Sequence, residues 1–92
     1  SPRDGRADNA GLALGEALLR QNLPGRALQV WERVIREYPA GDAVPEALLR
    51  YGEVCREQGR EAAARAAFRR LVDNHPGTRA AARAEAWLAE MK

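Results

Sequence analysis

Along most of this chain apolar residues return every third or fourth position, the spacing of one face of a helix. Leu48, Tyr51, Val54 and Cys55 form one such stripe, and Ala64, Ala67, Phe68, Leu71 and Val72 form the next. Leu14 and Leu18, followed by Ala27, Val30, Trp31 and Val34, repeat the arrangement nearer the start. Nothing in the pattern suggests a strand. Between the two stripes of each group sits a residue that tolerates positive φ, Asn22 in one and Gly59 in the other, as a left-handed helix C-cap requires. Pro24 suits the first turn of the next helix, where its missing N–H leaves nothing unsatisfied. Asp42 and Thr78 are N-cap candidates just after two further prolines, Pro39 and Pro76. The pattern predicts five helices, at about 8–22, 24–38, 43–58, 60–74 and 79–91. Connections this short make sequential helices antiparallel neighbours.

The groups of helices also resemble one another residue by residue. At an offset of 37, Gly15-Glu16 falls on Gly52-Glu53, Gln21 on Gln58, Ala27 on Ala64, Arg33 on Arg70 and Pro39 on Pro76. Similar residues fill the gaps, among them Leu14/Tyr51, Trp31/Phe68, Val34/Leu71 and Tyr38/His75. Each proline therefore closes one structural unit. Gly15 and Gly52 stand inside helices, where glycine costs about 1 kcal/mol against alanine. That cost is understandable if another helix crosses there at close range. Ala27 and Ala64 are expected to supply the facing small surface. Trp31 and Phe68 are expected to fill the space between their own unit and the next first helix. The arrangement is a stack of helical hairpins.

Leu14-Gly15, Ala27, Trp31 and Pro39, then Tyr51-Gly52, Ala64, Phe68 and Pro76, resemble the tetratricopeptide repeat. The resemblance spans about residues 8–92 as two full repeats, about 8–41 and 45–78, and one terminal helix at 79–91. It implies an all-α solenoid of helical hairpins. The period exceeds the family's usual length of about 34 residues, and the extra residues lie in "PAGDAV". Leu18 stands where the family often has an aromatic residue in the first helix. The segment "GREAAARAAFRRLVDNHPGTRAAARAEAWLAEM" is similar to the C-terminal repeats of two groups of bacterial cell-envelope proteins. These are the periplasmic coordinator associated with the Tol–Pal system and the outer-membrane assembly lipoproteins. That likeness implies a periplasmic or cell-envelope setting and a role in positioning other proteins, with the cytoplasm as the alternative. Some relatives clamp a carboxylate terminus with Lys and Asn in the groove. Leu and Glu occupy the corresponding first-repeat places here, which argues against that specificity.

Composition narrows the chemistry. The chain has 92 residues, a formal net charge of +2 and only five aromatic residues, so it holds one small domain with an alanine-rich core. Its polar opening, residues 1–7, is expected to be a linker or chain end, and the whole to be a piece of a longer protein. One cysteine excludes an internal disulfide, and a single histidine without a cysteine cluster leaves no transition-metal site. Cys55 with His75 is the sole nucleophile–base pairing on offer. Cys55 lies on an apolar stripe and His75 at a helix end, so both are expected to be structural and no catalytic activity or cofactor is expected. The arginines of the second half (Arg60, Arg65, Arg69, Arg70, Arg79 and Arg83) are interleaved with Glu57, Glu61, Asp73 and Glu85 and lack accompanying aromatics. They read as a solvated face rather than a nucleic-acid site. No apolar run approaches the roughly 18 residues of a membrane span.

Function is therefore expected on the inner wall. In a solenoid of hairpins the first helix of each pair lines a concave binding surface. Its expected partner-binding residues are Leu12, Glu16, Leu19 and Arg20 on the first helix, then Leu49, Arg50, Glu53 and Arg56 on the third. Arg83 and Trp87 complete the set on the fifth. Asn9, Ala13, Glu46 and Glu90 share that wall. Leu12, Leu49 and Trp87 are apolar where water is otherwise expected, which suits a peptide or helix of a partner protein. The runner-up is a homodimer, because the unpaired fifth helix leaves a hairpin face for a second copy to cover. Nucleic-acid binding comes third.

Overall fold

A computed structural model describes residues 5–91, with side chains from residue 9 onward. Five helices follow one another: α1 (Gly5–Arg20), α2 (Pro24–Glu37), α3 (Val44–Glu57), α4 (Glu61–Asn74) and α5 (Arg79–Glu90). No strand occurs among the described residues. The fold is an all-α array of helical hairpins, as the repeat pattern implies. It divides into two compact units, Ser1–Ala47 and Leu48–Lys92, so the division falls inside α3.

The hairpin turns are built as the sequence predicts. Asn22 has φ 64°, and the N–H of Leu23 reaches back to the carbonyl of Leu18 at 2.9 Å. Gly59 has φ 79°, with the N–H of Arg60 on the carbonyl of Cys55 at 2.8 Å. These six-to-one bonds are the left-handed termination that satisfies the last carbonyls of a helix. Both proline-closed ends also match. The N–H of Tyr38 donates to Val34 and that of His75 to Leu71, each at 2.9 Å. Thr78 caps α5, its Oγ1 accepting from the N–H of Ala81 at 3.0 Å and donating to the His75 carbonyl at 2.8 Å.

Two helix starts differ from expectation. α1 begins at Gly5 rather than near residue 8, since nothing after Gly5 breaks the helix, and residues 1–4 of the expected linker lie outside the described residues. α3 begins at Val44, so the residue before it is Ala43 and not Asp42. The Val44 N–H closes a turn on Gly41, and Pro45 then occupies the first helical turn, where a missing N–H is harmless. Pro45 was the better start signal.

In the first unit α1 and α2 pack together. Ala27, Leu28, Trp31, Val34 and Ile35 are the buried face of α2. Trp31 is completely buried, and its Nε1–H donates to the Leu12 carbonyl at 3.2 Å. A Cβ on Gly15 would collide with that indole, and one on Gly11 would collide with Cγ2 of Val34. The large group facing Gly15 is thus Trp31 rather than Ala27. Leu14, expected in the apolar stripe, is 52% exposed. One residue along a helix is a turn of about 100°. With Gly15 turned to Trp31, Leu14 is carried to the margin of the α1–α2 contact, where Gly11, Val30 and Val34 line a shallow depression of about 180 Å³.

In the second unit Ala64, Ala67, Phe68 and Leu71 are the buried face of α4, and Ala80, Ala81 and Ala84 that of α5. Phe68 covers Gly52 as Trp31 covers Gly15. Cys55 is fully buried, where it packs as a small hydrophobe. Native protein is expected to react with dithionitrobenzoate slowly and denatured protein quickly, because burial suppresses both access and thiolate formation. Equal rates in the two states would move Cys55 to the surface.

Candidate functional site

The ten expected partner-binding residues divide between the two units. In the first, Leu12, Glu16 and Leu19 are half-buried on α1 and Arg20 is exposed at its end. In the second, Arg50, Glu53 and Trp87 are half-buried, while Arg56 and Arg83 are exposed. Leu49 overturns its expectation, with only 3% of its surface exposed. Leu48 beside it is also buried. Two adjacent residues point about 100° apart on a helix, so α3 buries a wider arc than a one-sided stripe. Leu49 belongs to the core and cannot anchor a ligand.

Four of the expected residues converge in the second unit, around Trp87. Its indole lies nearly parallel to the ring of Phe68, with centroids 6.2 Å apart and planes 10° apart. The Nε1–H donates to Oε2 of Glu53 at 3.0 Å, tying α5 to α3. Glu53 in turn faces Arg50, Nη1 to Oε1 at 3.7 Å, one helical turn away on α3. The guanidinium of Arg56 sits over the indole at 4.4 Å from the centroid, a cation–π contact worth about 0.5–1 kcal/mol at a partly exposed site. Arg83 stands one turn before Trp87 on α5 and is exposed.

Trp87 was expected as an apolar residue left to solvent. Instead it is held on one face by Phe68 and at its edge by Glu53, with Arg56 above the ring. The role of Phe68 escaped sequence reasoning because it joins residues 19 positions apart on two helices. A helical period reports only which residues share one helix's face. The outcome is a surface of guanidinium groups braced by a carboxylate and an aromatic stack, able to hold an acidic or planar group.

Among the described residues no three His, Cys, Asp or Glu side chains are gathered as a metal would need. His75 is half-buried at the α4 terminus, where its backbone N–H completes the helix. Arg65, expected to be an idle outer-face residue, donates from Nη2 to the Met91 carbonyl at 2.7 Å and so braces the end of α5. No helix among the described residues is long and apolar enough to cross a membrane.

The sequence profile of the tetratricopeptide repeat matches residues 12–79. This chain belongs to the tetratricopeptide repeat family. Its members' repeats are generally protein-interaction modules, and the fold is a non-catalytic one. The matched span takes in both glycine–aromatic contacts, at Gly15/Trp31 and Gly52/Phe68, together with Pro39 and Pro76. Compared with curated proteins and with solved structures, the chain has no significant match in either.

Proposed function

We propose that this tetratricopeptide repeat protein binds an acidic segment of a partner protein on the α3–α5 face of its second unit. The observation that carries the reading is the Arg56 guanidinium seated on Trp87, itself fixed by Phe68 and Glu53. Arg50 and Arg83 flank it and retain exposure. An arginine seated over an aromatic ring has lost part of its rotamer freedom before binding, so a carboxylate can engage it at lower entropic cost. The Arg residues orient the ligand and speed its arrival, while the half-exposed indole edge supplies apolar contact. A cell-envelope setting in a bacterium remains part of the proposal, supported by the likeness of the "NHPGTRAAARAEAWLAEM" segment described above.

The test is a panel of peptides in which acidic and apolar residues are interspersed, against scrambled and basic controls. Binding is followed by the NMR signal of the Trp87 indole N–H. Acidic peptides are expected to shift that signal, and Arg56→Ala to weaken them about five- to tenfold, roughly 1–1.4 kcal/mol. Arg70→Ala, on the exposed side of α4, is expected to leave affinity unchanged. Peptides that bind equally well to the Arg56→Ala protein, or leave the Trp87 signal unmoved, would sink the reading.

A further inference from the structure

We propose that Glu53 sets the charge specificity of the α3–α5 face, so that it takes segments bearing a carboxylate and gives no advantage to a phosphorylated one. The inference rests on the acidic-segment reading above and adds to it the class of anion. Both oxygens of Glu53 are in use. Oε2 accepts from Nε1–H of Trp87 at 3.0 Å, and Oε1 faces Nη1 of Arg50 at 3.7 Å. The side chain is 17% exposed, so its charge is held in place and is weakly screened by salt.

Arg56 is held differently. It lies three residues further along α3, where Cβ atoms are about 5–6 Å apart. Its guanidinium nevertheless takes the face of the indole rather than the Glu53 carboxylate. Among the described residues no ion pair engages Arg56, or Arg83 one turn before Trp87 on α5. The face therefore offers unpaired guanidinium groups beside a fixed negative charge.

That charge acts on any anion that Arg56 holds. The carboxylate and the guanidinium both contact one indole, which places them within about a Debye length of each other, roughly 10 Å at 0.1 M salt. A ligand carboxylate brings one negative charge to this place, and a phosphomonoester brings about 1.5–2 at pH 7. The additional charge is attracted by Arg56 and repelled by Glu53, so the two effects oppose each other. Glutamine at position 53 separates charge from shape. Its amide oxygen can still accept from the Trp87 N–H, while the repulsion is gone.

The test uses one peptide in three forms, with Gln, Glu or phosphoserine at a single central position and apolar residues on either side. Binding is followed by the NMR signal of the Trp87 indole N–H at fixed salt, with circular dichroism to show that each variant is folded. The parent is expected to bind the phosphoserine form within about fivefold of the Glu form. Glu53→Gln should tighten the Glu form about threefold and the phosphoserine form about tenfold, and leave the Gln form unchanged. A gain that grows with ligand charge is not what a merely structural role would give, since a loosened Trp87 would change all three forms alike. A parent that binds the phosphoserine form more than about fivefold tighter than the Glu form would overturn the proposal, whether or not the variant folds. So would a Glu53→Gln protein whose affinities for the three forms change by the same factor. If neither charged form moves the Trp87 signal of the parent, the acidic-segment reading itself fails and this inference falls with it.

Discussion

Gly52→Ala is expected to destabilise the protein by about 2 kcal/mol, whereas Gly25→Ala should leave it unchanged or slightly more stable. Both substitutions add one methyl to a helix, and helix propensity alone favours alanine by about 1 kcal/mol at an interior position. The surroundings decide the sign. At Gly25 nothing lies within 4 Å of the added carbon. At Gly52 the carbon would fall 2.8 Å from Cδ1 and Cζ of Phe68 and closer still to Cε1. Phe68 is fully buried and stacked on Trp87, so its ring has no empty rotamer to move into. The helices must separate, and overpacking of this kind costs about 1–3 kcal/mol. For a domain of this size that is a fall in Tm of roughly 8–16 °C for the Gly52 variant. Phe68→Leu in the Gly52→Ala background separates clash from propensity, because the smaller side chain relieves the first only. The two changes together should cost clearly less than their sum, with a coupling above about 0.5 kcal/mol. Equal melting of the Gly52 and Gly25 variants would show that α3 and α4 do not meet at this point.

The same contact marks the boundary of what the sequence could reveal. Helix number, hairpin order and the caps at Asn22, Gly59 and Thr78 were legible because each rests on neighbours close in the chain. The repeat offset even located the close approaches at Gly15 and Gly52. It could not say that an indole and a phenyl ring, rather than Ala27 and Ala64, would fill them. Leu49 and Leu14 failed for a related reason. Periodicity finds the centre of an apolar stripe but not the width of the arc that a helix's neighbours will cover. α3 buries a broad arc and draws Leu49 inward, while α1 turns Gly15 to its partner and leaves Leu14 at the margin. Arg50, Glu53 and Arg56 stand on α3 and Trp87 on α5, the helices that the periodicity assigns them to. Their linkage was invisible, because it depends on a hydrogen bond and a ring stack between residues distant in the chain.

Trp87→Ala carries the other large effect, and it falls on stability as well as on binding. A tryptophan standing free at a helix surface could be removed at little cost, within about 0.5 kcal/mol. Here the substitution removes the stack on Phe68, the donor to Glu53 and the seat of Arg56 together. Complete burial would make a Trp→Ala change worth about 3–5 kcal/mol. Because Trp87 is half-buried, we expect about 2–3 kcal/mol, of which the aromatic pair supplies about 0.5–1.5 kcal/mol. Trp87→Phe separates the components. It keeps a ring for Phe68 and Arg56 but takes the donor from Glu53, whose side chain is only 17% exposed. With Arg50 still at 3.7 Å, the remaining loss should be about 1 kcal/mol. Urea unfolding should therefore rank the proteins parent, Trp87→Phe, Trp87→Ala, with similar m-values throughout. Binding of an acidic peptide is best compared between the parent and Trp87→Phe, since both remain largely folded. A Trp87→Ala protein as stable as the parent would show that the indole stands free of Phe68 and Glu53, and that Arg56 has no fixed seat from which to hold a ligand.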